Sequence, residues 1–241
     1  MGDRIEEDVA TLPLPTSTLV GLAGPSPAGD AAGGEWSARR AYMTDEELSL
    51  VRAAAGGDRE AFRQLFARHR ADVHRLVYRM IGPRSDIDDV VQEVFFQVFR
   101  SLKDFRAQSK LTTWLHRVTV NVVLMYRRAE RSRPTYVEEQ PSDLSEDDRN
   151  PQPDEEAERN ERVRAFRRLL DRLADKKRVV FVLHELEGMS PQEISEVVGA
   201  PVLTVRTRLF YARRELEAMM GEEPSLAGVA SAGGFGGKAE R

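Results

Sequence analysis

The sequence predicts an all-α protein made of two small helical domains joined by a flexible acidic linker. Apolar residues recur at steps of three and four in residues 43–133 and 161–220, a spacing typical of helices with one buried face. Residues 134–160 between them contain proline and break this pattern. No stretch has the pattern of a convincing strand, although the β-branched residues of 179–183 resemble one.

The ends of the chain have compositions that favour disorder. Residues 1–42 and 221–241 are rich in small residues and lack sustained periodicity, so we expect neither to fold. The formal net charge of −4 conceals a segregated pattern. Residues 134–160 carry ten acidic residues against two arginines, whereas residues 103–133 carry eight Lys or Arg against two acidic residues. The positive charge is therefore concentrated in predicted helices, where it can meet nucleic acid.

Composition excludes several kinds of site. The chain has no cysteine, which excludes disulfides, thiolate metal sites and a cysteine nucleophile. His69 and His74 have no second ligand at metal-binding spacing, so we expect them to serve packing or the surface. No apolar run is long enough to span a bilayer, and the N-terminal residues are acidic where a signal peptide would be basic. We therefore expect a cytoplasmic protein without membrane insertion.

Capping signals predict four helices in the first domain. Polar residues that suit the N-cap position mark the start of the first three, at Thr44, Asp58 and Asp86. Gly82 and Pro83 end the second helix. The fourth helix follows a loop at residues 105–110, and its side chains expected to point inward are Leu115, Val118, Val122 and Met125. Its remaining arginines then form a basic surface.

The third predicted helix carries an exposed acidic patch with an aromatic residue at its edge. Steps of three and four group these side chains on one face: Asp89, Gln92, Glu93 and Phe96. The attraction of a helix N-terminus for negative charge explains Asp88 and Asp89, but not Gln92 and Glu93 further along. This face is therefore a candidate for binding a basic partner.

The second domain ends in a predicted helix-turn-helix. Ser190 as N-cap, Pro191 in the first turn and Glu193 as the capping-box acid begin a helix that Gly199 closes. The helix that follows buries one apolar stripe. Its other face lacks an acidic residue before Glu215 and comprises Thr204, Arg206, Thr207, Arg208, Phe210, Tyr211, Arg213 and Arg214. Such a surface suits DNA phosphates and base edges.

Three motifs in this order resemble the extracytoplasmic-function (ECF) sigma factors of bacterial RNA polymerase, the minimal members of the sigma-70 superfamily. They are DDVVQEVF at 88–95, WLHRVTVN at 114–121, and the helix-turn-helix at 190–216. The resemblance covers about residues 44–220. It implies a region 2 helical bundle, a region 4 helix-turn-helix, and a factor that directs core RNA polymerase to promoter DNA.

The resemblance also implies a partner for each surface. The clamp coiled coil of core RNA polymerase would bind Asp89, Gln92, Glu93 and Phe96, and its flap would provide a further contact. Opening the minus-10 element and holding its unpaired bases would fall to Phe105, Lys110, Trp114, Arg117, Asn121, Tyr126, Arg127 and Arg128. Phe105, Trp114 and Tyr126 equally fit a place in the core.

In the second domain, the residues implied to read the minus-35 element are Arg206, Thr207, Phe210 and Tyr211, with Thr204 on the same face. Arg208, Arg213 and Arg214 would hold phosphates. The family further implies regulation by an anti-sigma factor. It implies no cofactor, metal, catalytic residue or small-molecule substrate.

Three residues depart from the family pattern. Leu203 stands where the family usually has Gly, Tyr211 where Arg is usual, and Met125 where Asp often follows the Asn of the minus-10 helix. None of them disrupts a helix, since Leu is a better helix former than Gly. The loss of an arginine from the reading face changes base preference, so the family's usual promoter sequence does not transfer to this chain.

Two other functions fit part of the sequence. An all-α enzyme could hold metal ions with carboxylates such as those of Asp86, Asp88, Asp89 and Glu93, but no comparable second cluster is present in so small a domain. A free-standing DNA-binding regulator would explain the helix-turn-helix. It would leave the first domain without a role.

Overall fold

The computed structural model describes residues 43–132 and 154–226 and is all-α within them. It has eight α-helices in these ranges: α1 (Asp45–Ala55), α2 (Arg59–Ile81), α3 (Ile87–Ser101), α4 (Leu111–Ser132), α5 (Asp154–Arg172), α6 (Asp175–Phe181), α7 (Pro191–Val198) and α8 (Val202–Glu222). The predictions for residues 1–42, for most of the acidic linker and for the end of the tail lie outside the described residues.

The first two helices begin at the predicted caps. The Thr44 side chain accepts a hydrogen bond from the backbone N–H of Glu47, and Asp58 accepts from the N–H groups of Glu60 and Ala61. Asp86 occupies the N-cap position of α3, yet its carboxylate makes no capping hydrogen bond. It accepts instead from the Tyr126 hydroxyl, which joins the start of α3 to α4.

The core of the first domain lies around α2, which packs against α1, α3 and α4. Val73, Leu76 and Met80 of α2 are buried there, at the three- and four-residue spacing that the sequence shows. The prediction that Met125 points inward is wrong, because its side chain is exposed. The buried stripe of α4 runs through Val123 and continues toward Arg127, on the side that faces the second domain.

The second domain begins earlier than predicted. Its first helix, α5, starts at Asp154, inside the segment 134–160 that was expected to be a flexible linker. Acidic residues in a first helical turn are stabilised by the helix dipole. Ion pairs one turn apart also support this helix, with Glu158 3.8 Å from Arg162 and Glu161 3.1 Å from Arg164. Charged residues that would repel one another in a flexible linker therefore stabilise a helix here.

The apolar run at 179–183 is helical, as predicted. It completes α6 and enters five residues of π-helix, Val182–Leu186, whose start is buried. Beyond α8, the side chain of Leu226 is buried in the second-domain core. The predicted disorder from residue 221 is therefore wrong for the first residues of the tail, because Leu226 gains apolar burial there.

Candidate nucleic-acid interface

The helix-turn-helix forms as the sequence predicts. Ser190 and Glu193 make a reciprocal capping box at the start of α7, and Gly199 ends this helix in the left-handed conformation at φ 63°. The Ser195 hydroxyl donates to the carbonyl of Ala200 at 2.6 Å, which holds the turn between the helices. Val205 buries the start of α8 against α7. The outer face of α8 is thereby fixed in orientation.

The outer face of α8 is cationic and open to solvent. Exposed side chains on it are Arg206, Thr207, Phe210, Tyr211 and Arg214, whereas Thr204 and Arg208 are half-buried. Arg206 forms no ion pair with any described residue. The Arg214 guanidinium lies 5.8 Å from the centre of the Phe210 ring, and the rings of Phe210 and Tyr211 meet edge to face at 5.4 Å. This face therefore offers both cations and apolar surface.

Arg213 is placed differently from its neighbours. Its Nη2 lies 2.6 Å from Oε1 of Glu185, and its Nε donates to the same oxygen at 2.8 Å. These two charge-assisted hydrogen bonds to one carboxylate oxygen connect α8 to the π-helical segment before α7. The charge of Arg213 therefore has a partner within the domain, and its assignment to a DNA phosphate stays a prediction.

The N-terminal part of the α4 surface is aromatic. The rings of Phe105 and Trp114 lie 5.2 Å apart and are half-buried against the first-domain core. The two rings therefore contact each other, and part of each supports the fold. Arg117 is half-buried on the same helix, and Asn121 and Arg128 are exposed.

Lys110, just before α4, is exposed but forms an ion pair with the second domain. Its Nζ lies 3.4 Å from Oε1 of Glu193, the capping-box acid of α7. That helix packs along α4, so the second domain covers part of the surface that the sequence assigns to nucleic acid.

Tyr126 is held by polar partners within the first domain. Its hydroxyl donates to Asp86 at 2.6 Å and accepts from Arg84 at 3.2 Å. Burial and the hydrogen bond to Asp86 raise the pKa of Tyr126 to about 12. The ring is half-buried against the core. Its hydroxyl and part of its ring are therefore engaged within the domain, and the assignment of Tyr126 to a minus-10 base stays a prediction.

Arg127 is buried between the two domains. Its side chain is 9% exposed, with Nε 2.9 Å from Asp175 and Nη1 3.4 Å from Asp171. Arg131 reaches the same Asp175 oxygen at 2.5 Å. In this arrangement of the domains carboxylates of the second domain bind Arg127, and its assignment to minus-10 DNA stays a prediction.

The same contact contains a second buried arginine. Arg178 is 1% exposed, and its Nη1 lies 2.7 Å from Asp171. Burial, followed by the charge of Arg127, lowers the pKa of Arg178 to about 10. Burial alone would raise the pKa of Asp175, but the hydrogen bonds from Arg131 and Arg127 keep it below its ordinary value. We call Arg127, Arg131, Asp171, Asp175 and Arg178 the interdomain cluster.

The acidic face of α3 lies away from this contact. Asp89 and Gln92 are exposed, and Glu93 is half-exposed with its carboxylate accepting from the Gln97 amide at 2.6 Å. Phe96 is 51% exposed, as predicted for an aromatic residue at the edge of the patch. The structure adds Phe99, also 51% exposed, which the sequence analysis missed. The signal in the sequence was its position three residues after Phe96, which places both side chains on the same face of the helix.

Comparison with known proteins identifies the family. Residues 65–133 match the model of Sigma-70 region 2, and residues 163–216 match that of Sigma-70 region 4. The ECF RNA polymerase sigma-E factor of Haemophilus influenzae is 35% identical over 187 residues, which cover 73% of this chain and 94% of that protein. This chain belongs to the ECF sigma factors.

Two solved structures share its fold. CnrH, solved in complex with the cytosolic domain of CnrY, is 30% identical with a TM-score of 0.54, covering 74% of this chain and 99% of CnrH. The sigma factor RpoE of Bartonella quintana, solved with the anti-sigma factor NepR, is 17% identical with a TM-score of 0.50, covering 67% of this chain and 98% of RpoE. At this identity the second likeness concerns the fold alone.

As an ECF sigma factor, the chain directs promoter-specific initiation of transcription by RNA polymerase. The family consists of initiation factors rather than enzymes. Within residues 43–132 and 154–226, no group of His, Cys, Asp or Glu side chains is placed to hold a metal ion. Among the helices described, none has the length and apolar character needed to cross a membrane.

Proposed function

We propose that this ECF sigma factor divides initiation among three surfaces. The outer face of α8 reads the minus-35 element, the loop at 105–110 and α4 hold the opened minus-10 strand, and the acidic face of α3 binds the clamp coiled coil of core RNA polymerase. The protein acts in the cytoplasm and has no catalytic residue of its own. The flap of the polymerase contacts the second domain.

The observation that best supports this proposal is the exposure of the Arg206 side chain. Its guanidinium is exposed near the start of α8 and makes no ion pair with any described residue. An α-helix fits the DNA major groove, and the residues near the start of a recognition helix contact base edges. An arginine there is available for bidentate recognition of guanine. Thr204, Thr207, Arg208 and Arg214 lie on the same helix and supply further polar groups.

The minus-10 assignment requires the two domains to separate. Lys110 and Arg127 are bound to acidic side chains of the second domain, and α7 lies along α4. We infer that this closed arrangement precedes promoter binding and that α4 meets DNA after the domains part. Arg117, Asn121 and Arg128 remain the residues of α4 that can meet DNA with the least rearrangement.

A protein inhibitor is the expected regulator. CnrH and RpoE of Bartonella quintana were each solved with a bound protein partner, and NepR is an anti-sigma factor. We propose that an anti-sigma factor binds this chain and covers surfaces that would otherwise contact polymerase and DNA.

Transcription with purified core RNA polymerase tests the proposal. The full chain is added to core polymerase on a fragmented genomic template, and new transcripts are mapped. We expect start sites that share two spaced upstream elements. Arg206→Ala should reduce use of these sites without changing core binding, whereas Arg164→Ala, an exposed arginine of α5 paired with Glu161, serves as the matched control. Tight duplex binding without transcription would favour a free-standing regulator.

A further inference from the structure

The start of α8 presents an exposed apolar side chain where a recognition helix meets bases. Leu203 is 75% exposed, more than any other large hydrophobic side chain of the described residues. Phe210 and Tyr211 on the same helix are 54% and 53% exposed. Three of the seven exposed large hydrophobic residues among those described therefore lie within nine positions of α8.

Packing within the protein does not account for Leu203. The buried stripe of α8 runs through Val205, Leu209 and Ala212, and Leu203 is offset from it. A side chain that is three-quarters exposed contributes little apolar burial to the folded state. Its apolar surface is therefore available to a partner that approaches the open face of α8.

Leu203 lies in line with a second exposed apolar side chain on this face, Phe210. Leu203, Thr207 and Phe210 follow one another at steps of four and three, so they form one line along the helix. The Thr207 hydroxyl donates to the carbonyl of Leu203 at 2.9 Å, so its proton is already used within the helix. Leu203 and Phe210 are about 10 Å apart along the helix axis, close to three base-pair steps.

The chemistry of the major groove supplies a matching apolar group. Each base pair presents hydrogen-bond donors and acceptors there, and the C5-methyl of thymine is its distinctive hydrocarbon. We propose that Leu203 contacts the C5-methyl of a thymine in the minus-35 element and selects that base. This inference rests on the proposed function, in which α8 lies in the major groove.

Replacement of thymine by deoxyuridine tests the contact, because deoxyuridine removes only the methyl group. The promoter is first defined with the full chain and core polymerase. Templates then carry deoxyuridine at one minus-35 position at a time, on either strand. We expect one position to lose about fourfold in promoter binding by the holoenzyme, the loss that corresponds to one buried methyl group.

Substitutions of Leu203 assign the effect to this side chain. Leu203→Ala should bind the thymine template about fourfold more weakly and the deoxyuridine template unchanged, so that the two templates become equivalent. Leu203→Met keeps a long apolar side chain and should retain most of the discrimination. Arg206→Ala is the matched control on the same face: it should weaken binding to both templates while preserving their ratio.

Each remaining outcome overturns the inference. If transcription depends on the minus-35 element and on Arg206, but no deoxyuridine position matters or Leu203→Ala keeps the discrimination, the contact is absent while the proposed function stands. A minus-35 element without thymine would exclude the contact in the same way. If transcription does not depend on a minus-35 element at all, the proposed function fails and the inference fails with it.

Discussion

The two basic helices α4 and α8 have similar charge in the sequence but different surroundings in the structure. On α8, Arg206 is exposed and forms no ion pair with a described residue. On α4, Arg127 is buried and Arg131 shares its carboxylate partner Asp175. A row of arginines thus identifies a surface that attracts negative charge, but not whether that charge comes from DNA or from the protein itself.

The difference follows from which carboxylates lie within reach. The partners of Arg127 come from the second domain, more than forty residues along the chain. Removing buried arginines from water is costly, and the acidic side chains offset that cost. With the minus-10 role proposed for α4, the closed and DNA-bound arrangements would compete for the same cations.

The largest expected effect is that of removing Asp175. Asp175→Ala leaves Arg127 and Arg131 without their shared partner, which should weaken the contact between the domains by about 3 kcal/mol. Since the chain has no cysteine, fluorophores can be attached at Arg52→Cys and Ala218→Cys, exposed positions on the two domains. Energy transfer between them should fall.

The control for this prediction is Glu60→Ala. Glu60 pairs with Arg63 at 3.1 Å within α2, where both side chains are more than half exposed, so its loss should cost less than about 1 kcal/mol and leave energy transfer unchanged. If Asp175→Ala also left the transfer unchanged, the interdomain cluster would not be what holds the domains together.

The next largest effect is expected on the open helix. Arg206→Ala should lower promoter use through the cognate minus-35 element by about 1 to 3 kcal/mol, because one bidentate base contact is lost. Arg213→Ala removes the pair with Glu185 instead. It should reduce the free energy of unfolding of the second domain, measured with urea, and change promoter choice less. Equal effects of both variants on base preference would contradict the assignment of Arg213.

Sequence reasoning predicted the features that depend on residues close together in the chain. Caps at Thr44, Asp58 and Ser190 gave helix starts within a residue, because a side-chain oxygen near free N–H groups acts over a few positions. The helix-turn-helix and the acidic face of α3 follow from spacing alone. They need no knowledge of the rest of the chain.

The features that sequence reasoning missed depend on which residues pair with one another in the folded chain. Nothing near Arg127 shows that Asp171 and Asp175 will reach it. The start of α5 at Asp154 was missed because a run of acidic residues with prolines is typical of linkers, while its helical ion pairs depend on register. In both cases the sequence shows which residues are charged but not which residues they pair with.

A smaller effect is expected on the acidic face of α3. Glu93→Lys should weaken binding to core polymerase by on the order of 1 kcal/mol, because a half-exposed acidic side chain facing a basic coiled coil changes sign. Competition with the unchanged chain for limiting core polymerase measures it. Glu60→Lys, on the exposed start of α2, is the matched control. Unaltered competition by Glu93→Lys would reject the clamp assignment.

The smallest expected effect is the response of the contact between the domains to a fall in pH. Burial lowers the pKa of His116 and outweighs Glu187 and Glu193 of the second domain and Asp72 of the first, whose charges raise it. Protonation below the ordinary 6.5 therefore disfavours the closed arrangement, in which this side chain is buried. Asp175 has a lowered pKa, so its contribution persists at neutral pH and is lost only as the pH falls below its ordinary 3.8.

Energy transfer between the two domains should therefore fall in two steps on acidification. His116→Gln should abolish the step below pH 6.5, and Asp175→Ala the one below 3.8. His69 also has a pKa lowered by burial, but its charged neighbours Glu47, Asp72 and Arg68 lie within the first domain. His69→Gln should therefore change the pH dependence of unfolding and not the distance between the domains. A single step that survives both interdomain substitutions would mean that other groups link the closed arrangement to pH.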